Sequence, residues 1–389
     1  MIRDQSFVVF SDDWGRHPSS CQHLFRRIAL ENRVLWVNTI GTRTPSLSRA
    51  DFTRAAEKVR EWTRGSAGSG EPGPDEPVEI LRPFMTPFDR WLGFRKLNAK
   101  LLRDAVGKTL ALRGDRDPIL VTTIPNAAGL VGHLGEAASI YYCVDEFSEW
   151  PGADRKTMLD MEAELLRGVD LVVAASETLF EAKSALHPRV RLLRHGVDWG
   201  RFQGGGGQAP AELTEMNGPV VGFTGLVDER INVPLVAACA ASLPEVTFVF
   251  VGPRQLGPGE LDSARNIRFV GAVPYADVPA VVASFDVAML PYVESSLTER
   301  INPLKLREFL ASGVPVVATP IPEVRRYREF VEAPRDLDDW VDALREALRE
   351  GRARAQARSA SVKGEGWDVR AEEFSRYCEE ARETARVTR

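Results

Sequence analysis

Two apolar runs, Phe7–Phe10 and Arg33–Asn38, flank a turn-rich loop at Ser11–Ser20 and a helical stretch at Cys21–Leu30. An interval of about thirty residues is too long for a hairpin and fits a strand–helix–strand crossover, so the two strands pair in parallel. The pattern recurs. Apolar runs at Pro118–Thr123, Ala138–Val144, Asp170–Ala175 and Val190–Leu193 alternate with helices over Met158–Arg167 and Glu177–Leu186, the second capped by Ser176. A chain patterned this way is α/β, with parallel sheets covered by helices on both faces.

At 389 residues the chain outgrows a single hydrophobic core, which rarely exceeds about 250–300 residues. A second series of strands starts at Pro219 (P-V-V-G-F-T-G-L-V) and continues through Val246–Val251, Asn266–Val270 and Asp286–Tyr292. Ahead of it lies Gln203–Pro210, whose consecutive glycines suit a hinge. The expected division is therefore 1–200, a linker at 201–216, a second α/β domain at 217–366 and a final helix at 367–389. Gly351–Gly364 is charged and poorly patterned, and Gly65–Pro77 is low-complexity.

Composition excludes some functions. A net charge of −5 argues against a general nucleic-acid binder. Cys21, Cys143, Cys239 and Cys378 are scattered, as in reduced thiols of a cytosolic protein, and form neither a zinc motif nor a disulfide frame. No apolar run approaches the roughly 20 residues needed to span a bilayer. Within Pro83–Arg113, basic residues from Arg90 to Lys108 alternate with Trp91, Phe94, Leu97 and Leu101. Such a helix either packs on a core with a solvated basic face or lies on an anionic membrane surface.

The most informative stretch is Thr298–Pro320 (T-E-R-I-N-P-L-K-L-R-E-F-L-A-S-G-V-P-V-V-A-T-P). Asn302 suits an N-cap and Pro303 the first helical position. Leu306, Phe309 and Leu310 mark one buried face, and Gly313 suits a left-handed stop. A helix N-terminus favours an anion, and Lys305 adds a full charge one turn in. Lys305 and Glu308 alone also fit an ordinary i,i+3 surface pair.

This stretch resembles the donor-nucleotide segment of GT-B glycosyltransferases, two facing Rossmann-like domains, near glycosyltransferase family 4. It is similar to the teichuronic-acid and exopolysaccharide enzymes with N-P-[LV]-K-L-x-E-[FY]-L-A-x-G-x-P-V-V. The succession D-L-V-V-A-A-S-E-T-L and R-L-L-R-H-G-V-D at Asp170–Asp198 resembles the close of the first GT-B domain, with His195 where relatives often carry Asn. The resemblance implies a nucleotide-sugar donor, UDP- or GDP-linked, and no separate cofactor. It further implies a saccharide or lipid-linked acceptor and a last helix that crosses back to the first domain. Phosphate contacts fall to Asn302, Pro303, Leu304 and Lys305, and ribose contacts to Glu308. Gly225 permits close backbone approach, and Arg230 lies near a phosphate-binding arginine of relatives. Arg300 stands where many family 4 enzymes carry a first glutamate, which leaves inverting and retaining outcomes both open.

No D-x-D motif lies at a suitable strand end, so metal-independent chemistry is expected. An acceptor hydroxyl must lose a proton, and a strand-end carboxylate is suited to take it. Asp145 is the first candidate, followed by Asp13 and His17 on the loop after the first strand. An epimerase of the same fold, or a nucleotide-sugar-binding protein without chemistry, remains as an alternative.

Overall fold

The computed structural model describes residues 1–15, 19–38, 77–86 and 92–388. They form two units, Met1–Arg194 with Arg370–Arg389, and His195–Val369.

The first unit is built on a seven-stranded parallel sheet. Its strands are β1 (Ser6–Ser11), β2 (Arg33–Asn38), β3 (Glu79–Leu81), β4 (Ile119–Thr122), β5 (Ala138–Cys143), β6 (Leu171–Ala174) and β7 (Val190–Leu192). The order is β3-β2-β1-β4-β5-β6-β7. Phe7 sits opposite Val34 on one side and Ile119 on the other. Every residue of β4, β5 and β6 is buried, as helices on both faces require. Because the chain first builds outward through β2 and β3 and then returns to add β4 beside β1, the connections diverge between β1 and β4. Open α/β sheets bind ligands at such a reversal, beyond the strands' carboxyl ends.

The Leu92–Arg113 helix carries most of the basic stretch. Leu102, Val106 and Leu110 pack into the core with Val8, Leu35 and Leu120. Its other face exposes Phe94, Lys96, Leu97, Lys100 and Lys108, while Arg95 pairs with Glu164 at 3.7 Å. One face of the helix is thus a core element, and the other is an exposed basic face on which two large apolar side chains also stand. Arg90 lies outside the described residues. Among those described, no helix is long and apolar enough to cross a membrane.

The second unit holds a six-stranded parallel sheet of β8 (Val220–Thr224), β9 (Thr247–Val251), β10 (Ile267–Val270), β11 (Val287–Leu290), β12 (Val316–Ala318) and β13 (Val331–Glu332). The order β10-β9-β8-β11-β12-β13 places its reversal between β8 and β11. The glycine run Gly204–Gly207 packs back on this unit. Gly207 has φ +99°, and a Cβ there would lie 2.5 Å from the Ala276 carbonyl. The Gly351–Gly364 stretch is not irregular throughout: Ala355–Ser361 is helical. Its Arg358 is buried, donating to Glu350 and to the Gly313 carbonyl, contacts that local patterning does not reveal.

From Arg370 on, the last helix (Trp367–Thr388) belongs to the first unit. Phe374 is fully buried, its ring 5.9 Å from Phe25 and 5.8 Å from Tyr142. All four cysteines are buried free thiols.

Candidate functional site

The β8–β11 reversal of the second unit brings the glycine turn after β8 to the helix that precedes β12. Gly225 has φ +125°, a conformation that disfavours any side chain, and its N–H donates to the Val251 carbonyl at 2.8 Å. A Cβ on Gly225 would lie 2.6 Å from both Cε and Nζ of Lys305. Only glycine lets the lysine cross the backbone there. Gly252 (φ +141°) ends β9 in the same manner, and a Cβ on it would meet the Gly225 carbonyl at 2.2 Å.

Lys305 does not pair with Glu308 across the helix surface. Its ammonium donates to the Tyr292 hydroxyl at 3.4 Å and stands 5.2 Å from the centre of the Phe223 ring. Among the described residues no carboxylate lies within 4.0 Å of that nitrogen. The helix that carries it spans Leu304–Ser312 and ends on Gly313 at φ +75°. A cation over a glycine turn, in the first turn of a helix, can accept a phosphate group with no carboxylate among the described residues to displace.

Asn302 is not the N-cap. Pro303 holds that position, and no side chain caps the helix. The Asn302 carboxamide oxygen accepts instead from Arg307, and its carbonyl accepts from His195 Nδ1–H at 2.9 Å. A stronger tertiary donor has taken the oxygen that local sequence would assign to the helix end. Arg307 is completely buried. It also donates to Glu365 (2.7 Å) and Glu323 (3.4 Å), with its guanidinium 5.6 Å from the Tyr327 ring centre. The Tyr327 hydroxyl closes the circuit onto Glu365 at 2.9 Å. Burial opposes the Arg307 charge, yet Tyr327, Glu365 and Glu323 outweigh it and make the guanidinium harder to deprotonate.

Glu308 is half-buried on the same helix. Burial, aided by the charge of Asp198, pushes its carboxyl up to about 7 against the opposing pull of Lys305 and a hydrogen bond from Tyr275. Arg230, at the far side of the glycine turn, is gripped by Asp228 through Nε (2.9 Å) and Nη2 (2.8 Å). Its charge is therefore balanced within the unit. Arg300 donates to the Ser296 carbonyl at 3.3 Å in the loop before the helix.

In the first unit, Asp13 and Asp145 stand on loops after β1 and β5, with β4 between those strands. Strand spacing alone separates the two loop origins by roughly 10 Å. Asp12 organises its own turn, accepting from Ser11 Oγ (2.8 Å), Ser19 Oγ (3.0 Å) and Gln22 Nε2 (2.7 Å). Asp13 contributes its carbonyl to Gln22 and keeps a half-exposed side chain. His17 lies outside the described residues. Asp145 is half-exposed, and its Oδ1 accepts from the Glu146 N–H at 2.9 Å. Sequence reasoning missed Arg307, Tyr292 and Tyr275. Of these, only Tyr292 had a local signal, as the last residue of the D-V-A-M-L-P-Y run that enters the site.

Residues 204–350 match the family model for glycosyl transferases group 1. Over 199 residues the chain is 28% identical to "Putative teichuronic acid biosynthesis glycosyltransferase TuaH" of Bacillus subtilis (strain 168), covering 47% of this chain and 50% of that one. The chain thus matches about half the length of this curated relative. Among solved structures, Anabaena Alr3699/HepE in complex with UDP-glucose aligns with a TM-score of 0.66 at 13% identity, covering 96% of this chain and 99% of that one. Sucrose-phosphate synthase from Thermosynechococcus elongatus aligns with a TM-score of 0.69 at 15% identity, over 97% and 98% of the two chains. At such identities the structural likeness establishes the fold.

Proposed function

We propose that this chain of GT-B fold, whose residues 204–350 match glycosyl transferases group 1, moves a hexose from a nucleotide-sugar donor to a saccharide or lipid-linked acceptor in cell-envelope or exopolysaccharide synthesis. The observation that carries this reading is the Lys305 ammonium lying over Gly225 at the β8–β11 reversal. Departure of a nucleoside diphosphate concentrates negative charge on the pyrophosphate, and a preorganised cation and helix tip stabilise that charge. Lys305 and the first-turn N–H groups at Leu304–Lys305 serve the phosphates, Glu308 the ribose hydroxyls, and Asp145 takes the acceptor proton. The donor base is uracil or guanine, and the reaction needs no divalent metal. We place the enzyme in the cytoplasm, with the Phe94–Lys108 face touching anionic lipid; co-sedimentation with phosphatidylglycerol vesicles tests that contact.

A thermal-shift panel with UDP, GDP, dTDP and their sugars tests the reading, since a ligand bound only by the folded state raises the melting temperature. Stabilisation by one nucleotide series, followed by sugar transfer that requires an added acceptor, supports it. No shift with any nucleotide refutes it. Product without acceptor points to the epimerase.

Glu308 makes the affinity depend on pH. A ribose hydroxyl donates more strongly to a carboxylate than to a carboxylic acid. With Glu308 titrating at about 7, nucleoside diphosphate affinity rises as pH increases through that value. Glu308→Gln flattens the rise, which titrations between about pH 6 and pH 8 measure. In the ligand-free protein the sign reverses. A carboxyl raised from 4.5 to about 7 on folding makes its stability contribution below 4.5 and loses it as pH climbs toward 7.

A further inference from the structure

The loop that follows β5 alternates in burial. Glu146 and Ser148 point inward, whereas Asp145, Phe147, Glu149 and Trp150 remain partly exposed. The Phe147 and Trp150 rings stack with centroids 5.9 Å apart. The inward side chains reach a buried charged network with members on three further elements. Lys183, 2% exposed on the Glu177–Ser184 helix, donates to Glu146 Oε2 (3.1 Å) and Glu162 Oε1 (2.7 Å). Glu162 belongs to the Arg155–Gly168 helix and also accepts from the Tyr141 hydroxyl of β5 at 2.9 Å. Ser148 Oγ donates to Glu146 Oε1 at 2.8 Å. Both carboxylates are thus satisfied by groups that only the folded unit brings together.

A buried lysine with two carboxylates is a costly way to fill a core, and apolar side chains of similar volume often stabilise as well or better. What apolar packing cannot do is fix a turn in a single position by directional bonds. Burial itself works against the Lys183 charge, but Cys143, Glu162 and Glu146 outweigh it, so the ammonium is retained. The bonds on Glu146 and Ser148 end directly beside Asp145, whose carbonyl also accepts from Cys143 Sγ at 3.5 Å.

We infer that Lys183 is a positioning residue. Through Glu146 it sets the Asp145–Trp150 loop so that the Asp145 carboxylate and the Phe147–Trp150 stack form one acceptor-facing surface, suited to a sugar ring with hydroxyls for the carboxylate and an apolar face for the aromatics. The acceptor assignment rests on the glycosyltransferase reading above; the positioning itself does not.

Amide hydrogen exchange on the full chain tests it. In Lys183→Met, residues 144–150 exchange about tenfold faster or more, while β1, β4 and β6 keep wild-type rates. Lys183→Arg restores slow exchange in the loop by keeping the charge. Glu146→Gln, which leaves the Lys183–Glu162 pair in place, gives the same local acceleration and substitutes for Lys183→Met if that variant does not fold. UDP and GDP titrations stay at wild-type values in every variant, because Lys305 is untouched. Unchanged loop exchange, or acceleration spread evenly through the first unit, overturns the inference. Absence of any UDP or GDP binding in the wild type removes the glycosyltransferase reading and leaves the loop result standing.

Discussion

Replacing Arg307 with methionine lowers the stability of the second unit by about 3–5 kcal/mol, the usual cost of removing one partner from a buried charge cluster. The reason is not lost packing, since methionine fills much of the same volume. Glu365 and Glu323, the latter 2% exposed, each lose an ion-pair partner, Arg326 remaining beside Glu323, and the Asn302 oxygen loses Arg307 as a donor. In a unit of this size such a loss lowers the melting temperature by roughly 10 °C or more. Arg307→Lys keeps a charge but not the three-way fork, and falls between the two. Calorimetry of the three proteins checks the order. Nucleotide affinity falls alongside stability, because Arg307 holds Asn302 immediately ahead of the helix that carries Lys305.

The second large effect is chemical. Asp145→Asn leaves the volume and the hydrogen bond from the Glu146 N–H in place but removes the carboxylate proposed above as the base. General-base catalysis contributes about 100-fold or more, so turnover falls by at least that factor while donor affinity stays at the wild-type value. A steady-state comparison of the two proteins, with UDP or GDP titration alongside, reads both quantities. Near-normal turnover in Asp145→Asn would move the role to another group, with Asp13 next in line.

Much of this architecture is legible in the residues. The strands are short, mostly buried and separated by crossover-length segments, so apolar runs locate β1, β2, β4, β5, β6 and β8–β11 to within two or three residues. The three-residue β3 (Glu79–Leu81) carries too little pattern to be seen. Gly313 is legible because a helix stop needs a positive φ. What sequence hides is charge turned inward. Arg307 looks like a surface residue between Lys305 and Glu308, and its partners lie 16 and 58 residues away. Lys183 reads as a solvated helical lysine, while its carboxylates stand 37 and 21 residues back in the chain. Asn302 has the right side chain and spacing for a cap and is diverted by a partner five residues on. Lys305 and Glu308 form the opposite case. Spacing suggests a trivial surface pair, whereas the glycine turn at Gly225 draws the ammonium away from the carboxylate.

Titration of the Lys305→Ala protein with UDP and GDP tests the central claim most directly. A charge-assisted contact to phosphate is worth about 1.5–3 kcal/mol, so affinity for the nucleotide that the wild type binds falls roughly 10- to 100-fold with the melting temperature of the free protein unchanged. Wild-type affinity in a fully folded Lys305→Ala protein would contradict the account.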